Sequence, residues 1–241
     1  MSGIGKPLAR TLLNWALPER CALCGEDAAP LTDGACAVCL AQLPPMPPPG
    51  CARCGAQTGA PLDVCGACHD QVDIQDATWR AFPYEEPIRT LATGLKYHDR
   101  TRWAHLLGAW AATRLEAPVR AFAPDCITPM PLHWRRLLFK RGYNQSALLA
   151  RVLAKRLGVP LDTRGLRRAR ATPPQTGLSR RARLRNVRGA FAVRDDRFMG
   201  RRVLLIDDVM TTGATTFEAA RVLKRAGAAQ VAVACMARTQ K

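Results

Sequence analysis

Apolar positions in the second two-thirds of the chain recur with the two periods of regular structure. After a short apolar run around Trp79, residues Ile88, Leu91 and Leu95 fall at helical spacing, as do Leu106, Leu107 and Trp110. CITPMPL (126–132) reads as a strand running into a basic loop, and QSALLARVLAKRLG as a helix ending at Gly158 with Pro160 beyond it. The stretch from 202 onward reads strand, turn, helix closed by Gly227, and strand again. Strands alternating with helices predict a parallel α/β sheet with right-handed crossovers. Cys126 and Cys235 fall inside two of the strands, where a cysteine is a small buried hydrophobe.

Before Trp79 the periodicity is absent except in residues 1–20, where an apolar stretch predicts an N-terminal helix. Residues 21–76 instead carry four CxxC pairs: Cys21/Cys24, Cys36/Cys39, Cys51/Cys54 and Cys65/Cys68, separated by 11, 11 and 10 residues. A two-residue gap lets both thiolates of a knuckle face one tetrahedral ion, and a second knuckle completes a four-cysteine site. The expected organisation is therefore an N-terminal helix (1–20), a double zinc ribbon (21–76) and an α/β domain (77–241). Two structural zinc ions follow, either from sequential pairs, with Cys21, Cys24, Cys36 and Cys39 apart from Cys51, Cys54, Cys65 and Cys68, or from an interleaved arrangement. Spacing does not choose between these pairings. All four positions of such an ion are filled, so the sites are structural and not catalytic. His69, next to Cys68, is expected at the surface. The proline run at 44–49 fits a stiff spacer between two ribbons.

The bulk numbers exclude several classes. A chain of 241 residues, 48% hydrophobic and 23% charged, is globular and neither fibrous nor disordered. Its apolar runs are all shorter than the roughly 20 residues of a membrane span, and its first 20 residues lack the pattern of a secretory signal. No membrane insertion and a cytoplasmic location are expected. Charge is unevenly placed: residues 1–76 carry net −4 and residues 77–241 net +21. Residues 135–202 hold 20 basic and 3 acidic side chains, and nine arginines without an acid lie in 164–188. That clustering predicts a polyanionic ligand, either a sugar phosphate or a nucleic acid.

The sharpest chemistry lies in VLLIDDVMTTGAT (203–215). A buried parallel strand ends in two adjacent carboxylates, Asp207 and Asp208, at the edge where such sheets bind ligands. Thr211, Thr212, Gly213, Ala214 and Thr215 then open a helix, whose free N–H groups and hydroxyls can seat a phosphate. Acids for sugar hydroxyls beside a phosphate cradle describe a ribose 5-phosphate site.

This segment resembles the phosphoribosyl pyrophosphate (PRPP) signature of type I phosphoribosyltransferases. Together with the four CxxC pairs, LKYHDR, TPMPL, RGYNQSALLA and TPPQTGLSRRARLRNVRGAF, it makes nearly the whole chain resemble the ComF family. The resemblance implies a double zinc ribbon fused to a type I phosphoribosyltransferase-like parallel-sheet domain, in bacteria that import and use DNA. It assigns Asp207 and Asp208 to the ribose hydroxyls, with Mg²⁺ accompanying PRPP, and residues 211–215 to the 5-phosphate. Arg135 and Arg136 take the place of the pyrophosphate loop, followed by Arg141. Residues 175–188 match a mobile loop closing over PRPP, and Lys96 falls in the region of the hood.

Two readings of function lead, ahead of a PRPP-responsive transcription factor, for which the sequence shows no helix-turn-helix. In one, a PRPP-binding protein handles imported single-stranded DNA through its arginine-rich surface, including Arg180, Arg181 and Arg183, with a competence helicase of the ComFA type as the partner that the resemblance implies. In the other, the domain transfers phosphoribosyl from PRPP to an acceptor, for which no base pocket or general acid–base pair is visible in the sequence.

Overall fold

The computed structural model describes residues 20–28, 30–72, 74–97, 102–132, 143–173, 175 and 177–239. The helix expected over 1–20 lies outside the described residues, apart from Arg20, which forms an isolated antiparallel bridge with Asp27. Packing divides the chain into two compact units, Met1–Leu43 and Pro44–Lys241. The division falls at the head of the proline run, whereas charge divides the chain near residue 76. Each unit consequently holds one of the two cysteine ribbons.

In the first unit, Gly25 turns the first knuckle at φ 78°, and its N–H donates to the Cys21 carbonyl at 2.9 Å. The second knuckle runs into helix α1 (Ala37–Ala41), whose N-cap is Cys36. The second unit opens with a ribbon of the same plan. Gly55 (φ 65°) closes its first knuckle onto Cys51, and helix α2 (Gly66–His69) follows Cys65.

The sheet is built from β1 (Ala77–Pro83), β2 (Cys126–Pro129), β5 (Arg202–Met210) and β6 (Gln230–Arg238), in the order β1-β6-β5-β2 with every pairing parallel. The central strands read as near-continuous apolar runs because both their faces are covered. Val203, Leu204, Leu205, Val231, Ala232 and Val233 are all fully buried. Between β1 and β2 lie α3 (Ile88–Tyr97) and α4 (Arg102–Phe122); α5 (Gln145–Leu157) follows β2 and α7 (Ala214–Arg225) joins β5 to β6. Helix α5 ends at Gly158 in the left-handed conformation (φ 69°), a stop that glycine adopts without a Cβ penalty. Helices α4 and α5 pack on each other, with α4 against β1 and β6 and α5 against β2 and β5.

The arginine-rich region between α5 and β5, given no element by periodicity, holds a hairpin. Strands β3 (Leu166–Arg168) and β4 (Phe191–Val193) pair antiparallel, with helix α6 (Arg180–Val187) between them. Ser179 caps α6 by accepting from the Ala182 N–H at 3.3 Å. Three-residue strands are too short to show alternation. Leu166, Val187 and Phe191 are the buried anchors that hold this region against the core.

The second ribbon is part of that core rather than an appendage. Cys51, Cys54, Cys68 and Ile74 belong to one buried cluster with Val203, Phe217 and Val233. Thr78 at the start of β1 receives an N–H bond from Gln75 and donates its hydroxyl to the Arg53 carbonyl at 2.7 Å. The proline run is fastened to the sheet domain as well: Arg114, stacked 4.2 Å over the Phe82 ring, donates to the Pro44 carbonyl at 2.7 Å.

Candidate zinc centres and phosphate site

The eight cysteines collect into two groups, Cys21, Cys24, Cys36 and Cys39, and Cys51, Cys54, Cys65 and Cys68, with all ligand atoms of a group within 4.8 Å of one another. Pairing is thus sequential. Four sulfurs at about 2.3 Å from one tetrahedral zinc are roughly 3.8 Å apart, and Cys54 Sγ lies 3.8 Å from Cys65 Sγ. Backbone N–H groups point at the sulfurs: Cys36 donates to Cys21 at 3.4 Å, and Cys65 to Cys51 at 3.3 Å. Protons crowd these groups. A hydrogen bond from Cys68 pulls the Cys54 thiol down to about 5, and the same bond together with burial pushes Cys68 upward. Burial raises Cys39 to about 12. A divalent cation relieves that conflict by replacing the protons, so both donor sets fit zinc. His69 is outside both groups, exposed beside Asp70.

Asp207 and Asp208 lie in one cleft with Thr211 and Thr215 of the segment expected to seat a phosphate. Asp207 lies at the end of the apolar run of β5 and is buried; Asp208 is half-buried. Asp207 Oδ1 accepts from the Asp208 N–H at 2.9 Å and from the Ser146 hydroxyl at 3.3 Å, so the first turn of α5 orients it. Residues 211–213 form the turn into α7, whose N-cap is Gly213 at φ 80° without any side-chain capping bond. The first N–H groups of α7 are left for a ligand. A Cβ at Gly213 would press on Met210 Cε at 2.9 Å and the Phe217 ring at 3.0 Å, and the left-handed φ of 80° is what favours glycine here. Thr212 Oγ1 is buried without a hydrogen-bond partner.

Asp207, Asp208, Thr211 and Thr215 line one open cleft of about 400 Å³ with Gln175 and Arg183. Gln175 donates to the Thr215 hydroxyl at 3.1 Å, and Arg183 to that of Thr211 at 2.9 Å. Part of the segment compared with a closing loop therefore already touches the phosphate loop. Arg135, Arg136 and Arg141 lie outside the described residues, as does the side chain of Lys96.

Several functional contacts escaped the sequence reading. Tyr143 and Gln145 both donate to the Leu95 carbonyl, Gln145 at 3.1 Å, while Asn144 donates to Met130 at 3.0 Å and caps α5. The YNQ triplet ties α3, the end of β2 and α5 together around the cleft. Only a polar triplet opening a helix announced it. The arginines also differ in employment: Arg197 pairs with Asp162 (2.9 Å) and Asp195 (2.7 Å), and Arg180 donates to the Ala67 carbonyl in α2 at 2.7 Å. Arg164, Arg167 and Arg194 are exposed and line a second open cleft, of about 580 Å³, that shares Pro131, Leu132 and Arg168 with the first.

Known proteins match both parts. The double zinc ribbon domain family matches residues 12–76 and the phosphoribosyl transferase domain family residues 144–241. DNA utilization protein YhgH of Salmonella typhi is 36% identical over 191 residues, covering 77% of this chain and 82% of its own. Competence protein F of Haemophilus influenzae is 36% identical over 183 residues, covering 72% and 78%. Among solved structures, a purine phosphoribosyltransferase from Pyrococcus horikoshii Ot3 overlaps 53% of this chain and 70% of its own, at 21% identity and a TM-score of 0.35. With a double zinc ribbon and a phosphoribosyl transferase domain both matched, and such identity over most of both relatives' lengths, this chain belongs to the ComF family.

Proposed function

We propose that this protein binds PRPP with Mg²⁺ at the end of β5 and handles imported single-stranded DNA on its arginine-rich surface, in the cytoplasm. The observation that carries the PRPP reading is the single cleft in which Asp207 and Asp208 face a phosphate loop with an uncapped helix start. The carboxylates suit the ribose hydroxyls, and Thr211 to Thr215 the 5-phosphate. The orphaned Thr212 hydroxyl is a polar group that a bound anion at this loop would satisfy. Mg²⁺, when bound, supplies charge neutralisation for the diphosphate. Of the two described arginines that line the cleft, Arg168 and Arg183, the second holds the loop and presents its remaining donors to phosphate oxygens.

The DNA half rests on charge placement and on the names of the relatives, one for DNA utilisation and one for competence. Exposed guanidinium groups at Arg164, Arg167 and Arg194, in no ion pair with a carboxylate among the described residues, exceed what one PRPP needs. A helicase of the ComFA type is the partner this role calls for. Among the described residues no helix is long and apolar enough to cross a membrane.

A second reading, phosphoribosyl transfer to an acceptor, is favoured by Met130, Pro131 and Leu132, which give the cleft an apolar wall beside the ribose acids. Calorimetry with PRPP and Mg²⁺, with and without single-stranded DNA, tests the proposal. Micromolar PRPP binding that the DNA modulates, without pyrophosphate release, supports it; DNA-dependent release of pyrophosphate supports the transferase, and a protein indifferent to PRPP overturns both.

A further inference from the structure

Two arginines in the second unit are buried without an ion pair to any described acid. Arg80 in β1 is 6% exposed and Arg238 at the end of β6 is 8% exposed. Among the described residues neither forms an ion pair with an acid. Arg80 gives Nη2 to the Pro48 carbonyl, while its Nη1 is buried without a partner. Arg238 gives Nη1 to the Thr211 carbonyl, the first residue of the phosphate loop. Both side chains line a small cavity of about 20 Å³ together with Ala56 and Gln57 of the second ribbon and Pro83 and Thr239. The two guanidiniums also repel each other, which adds to the cost of burying them.

A buried pair of cations needs compensating negative charge nearby. The second cysteine group supplies it: Arg80 stands in register with Cys235 across β1 and β6, Cys235 shares one buried cluster with Cys51, Cys54 and Cys68, and Ala56 and Gln57, just beyond Cys54, line the arginines' cavity. Four thiolates around one Zn²⁺ carry two net negative charges, equal and opposite to the two guanidiniums.

We propose that Arg80 and Arg238 are the buried counter-charges of the second zinc centre, and that Arg238, through its bond to the Thr211 carbonyl, couples the state of that centre to the phosphate loop. The second ribbon then acts as a positioning element for the ligand cleft and not only as a folding staple. The first zinc centre has no part in this device.

The test uses the full-length protein with both zinc ions bound. Zinc transfer to a chromogenic chelator is followed together with hydrogen exchange of the backbone at 209–217. Arg80→Met and Arg238→Met should each speed release of one zinc equivalent tenfold or more and leave the other unchanged. Arg238→Met should also raise exchange in the loop, as should chelation of the parent, and Arg238→Lys should restore the release rate by keeping the charge. The surface variant Arg225→Met should behave as the parent. Release at the parental rate in both Met variants overturns the counter-charge assignment, and so does equal acceleration in Arg225→Met. Faster zinc loss with unchanged exchange at 211–215 overturns the coupling. No step requires PRPP, so failure here is distinct from failure of the PRPP reading.

Discussion

The Arg183 guanidinium donates to the Thr211 hydroxyl at 2.9 Å, fastening helix α6 to the loop that opens α7. Its Nε also donates to the Leu178 carbonyl at 3.0 Å, so the side chain is held from both ends. A cation fixed at this point does two things: it brings positive charge to the phosphate loop before any ligand arrives, and it withdraws one arginine from the pool free to meet nucleic acid. Arg180, bound to the Ala67 carbonyl and 5.9 Å over the Phe217 ring, is similarly committed. Substituting Arg180, Arg181 and Arg183 together would therefore perturb the ribbon and the loop as well as the surface.

PRPP affinity should follow the loop geometry. Asp208→Ala removes a ribose partner, and Gly213→Val forces a branched side chain into a φ of 80° against Met210 and Phe217. Each should weaken PRPP binding tenfold or more, a loss of about 1.4 kcal/mol at that threshold. Arg183→Ala should weaken it less, because the backbone N–H groups of α7 remain. Calorimetry at constant Mg²⁺ measures all three, and parental affinity in both Asp208→Ala and Gly213→Val would show that PRPP does not bind here.

The two zinc centres should differ in what their loss does. Elemental analysis should find two zinc ions per chain. Cys36→Ser should unfold the first ribbon and leave the sheet domain melting as in the parent, since that ribbon belongs to its own compact unit. Cys54 is fully buried in the common core. Cys54→Ser should lower the main transition by roughly 6–12 °C, taking a loss of about 3 kcal/mol and the usual 2–4 °C per kcal/mol for a domain of this size. Differential scanning calorimetry of both variants decides it; equal melting of Cys54→Ser and parent would contradict a shared core.

These outcomes bear on what the sequence could say. The β5 motif and the CxxC pairs were legible because their chemistry is local: an apolar run ending in Asp207 and Asp208, and sulfurs at a ligand's spacing. Long-range partners were not. Nothing near Arg238 in sequence indicates that it holds Thr211, and nothing near Cys54 places it in one buried cluster with Phe217 and Val233. The hairpin of β3 and β4 was hidden because three-residue strands carry no period and arginine dominates their composition. Pairing of the cysteines was undecidable from nearly equal gaps, and the fold makes it sequential.

The hairpin has its own electrostatic latch. Asp162 accepts from the N–H groups of Arg164 (2.8 Å) and Gly165 (2.7 Å), and its other oxygen receives Arg197 at 2.9 Å. Burial alone would raise its pKa, but the two N–H groups and the Arg197 guanidinium outweigh burial and hold it below the usual carboxylate value of 3.8. A depressed folded pKa means stability that is fully present above the unfolded value and lost as pH falls through the folded one. Asp162→Asn should cost about 1–2 kcal/mol at pH 7, and the gap to the parent should narrow below pH 4. Urea titrations at pH 7 and pH 3 check this; a gap of the same size at both would rule the latch out.

Single-stranded DNA should bind in a salt-sensitive way with little sequence preference, and the arginines to remove are those the fold leaves unemployed. Arg164, Arg167 and Arg194 are exposed along one cleft with Leu132 and Thr163, and no carboxylate among the described residues pairs with them. Arg197, by contrast, is consumed by Asp162 and Asp195. A strand whose phosphates lie along this cleft would reach the edge of the PRPP site, because Pro131, Leu132 and Arg168 border both. Each phosphate contact to single strands contributes roughly −0.7 to the log–log salt slope, so replacing all three arginines by alanine should flatten the slope by about two units. PRPP affinity should stay parental, since none of the three lines the first cleft. Asp208→Ala should show the reverse pattern, with PRPP lost and the DNA slope kept. Fluorescence anisotropy of a labelled oligonucleotide across a salt series measures the slope. A triple variant with an unchanged slope would place the DNA elsewhere, and a parent that binds no DNA at low salt would leave phosphoribosyl transfer as the function of the cleft.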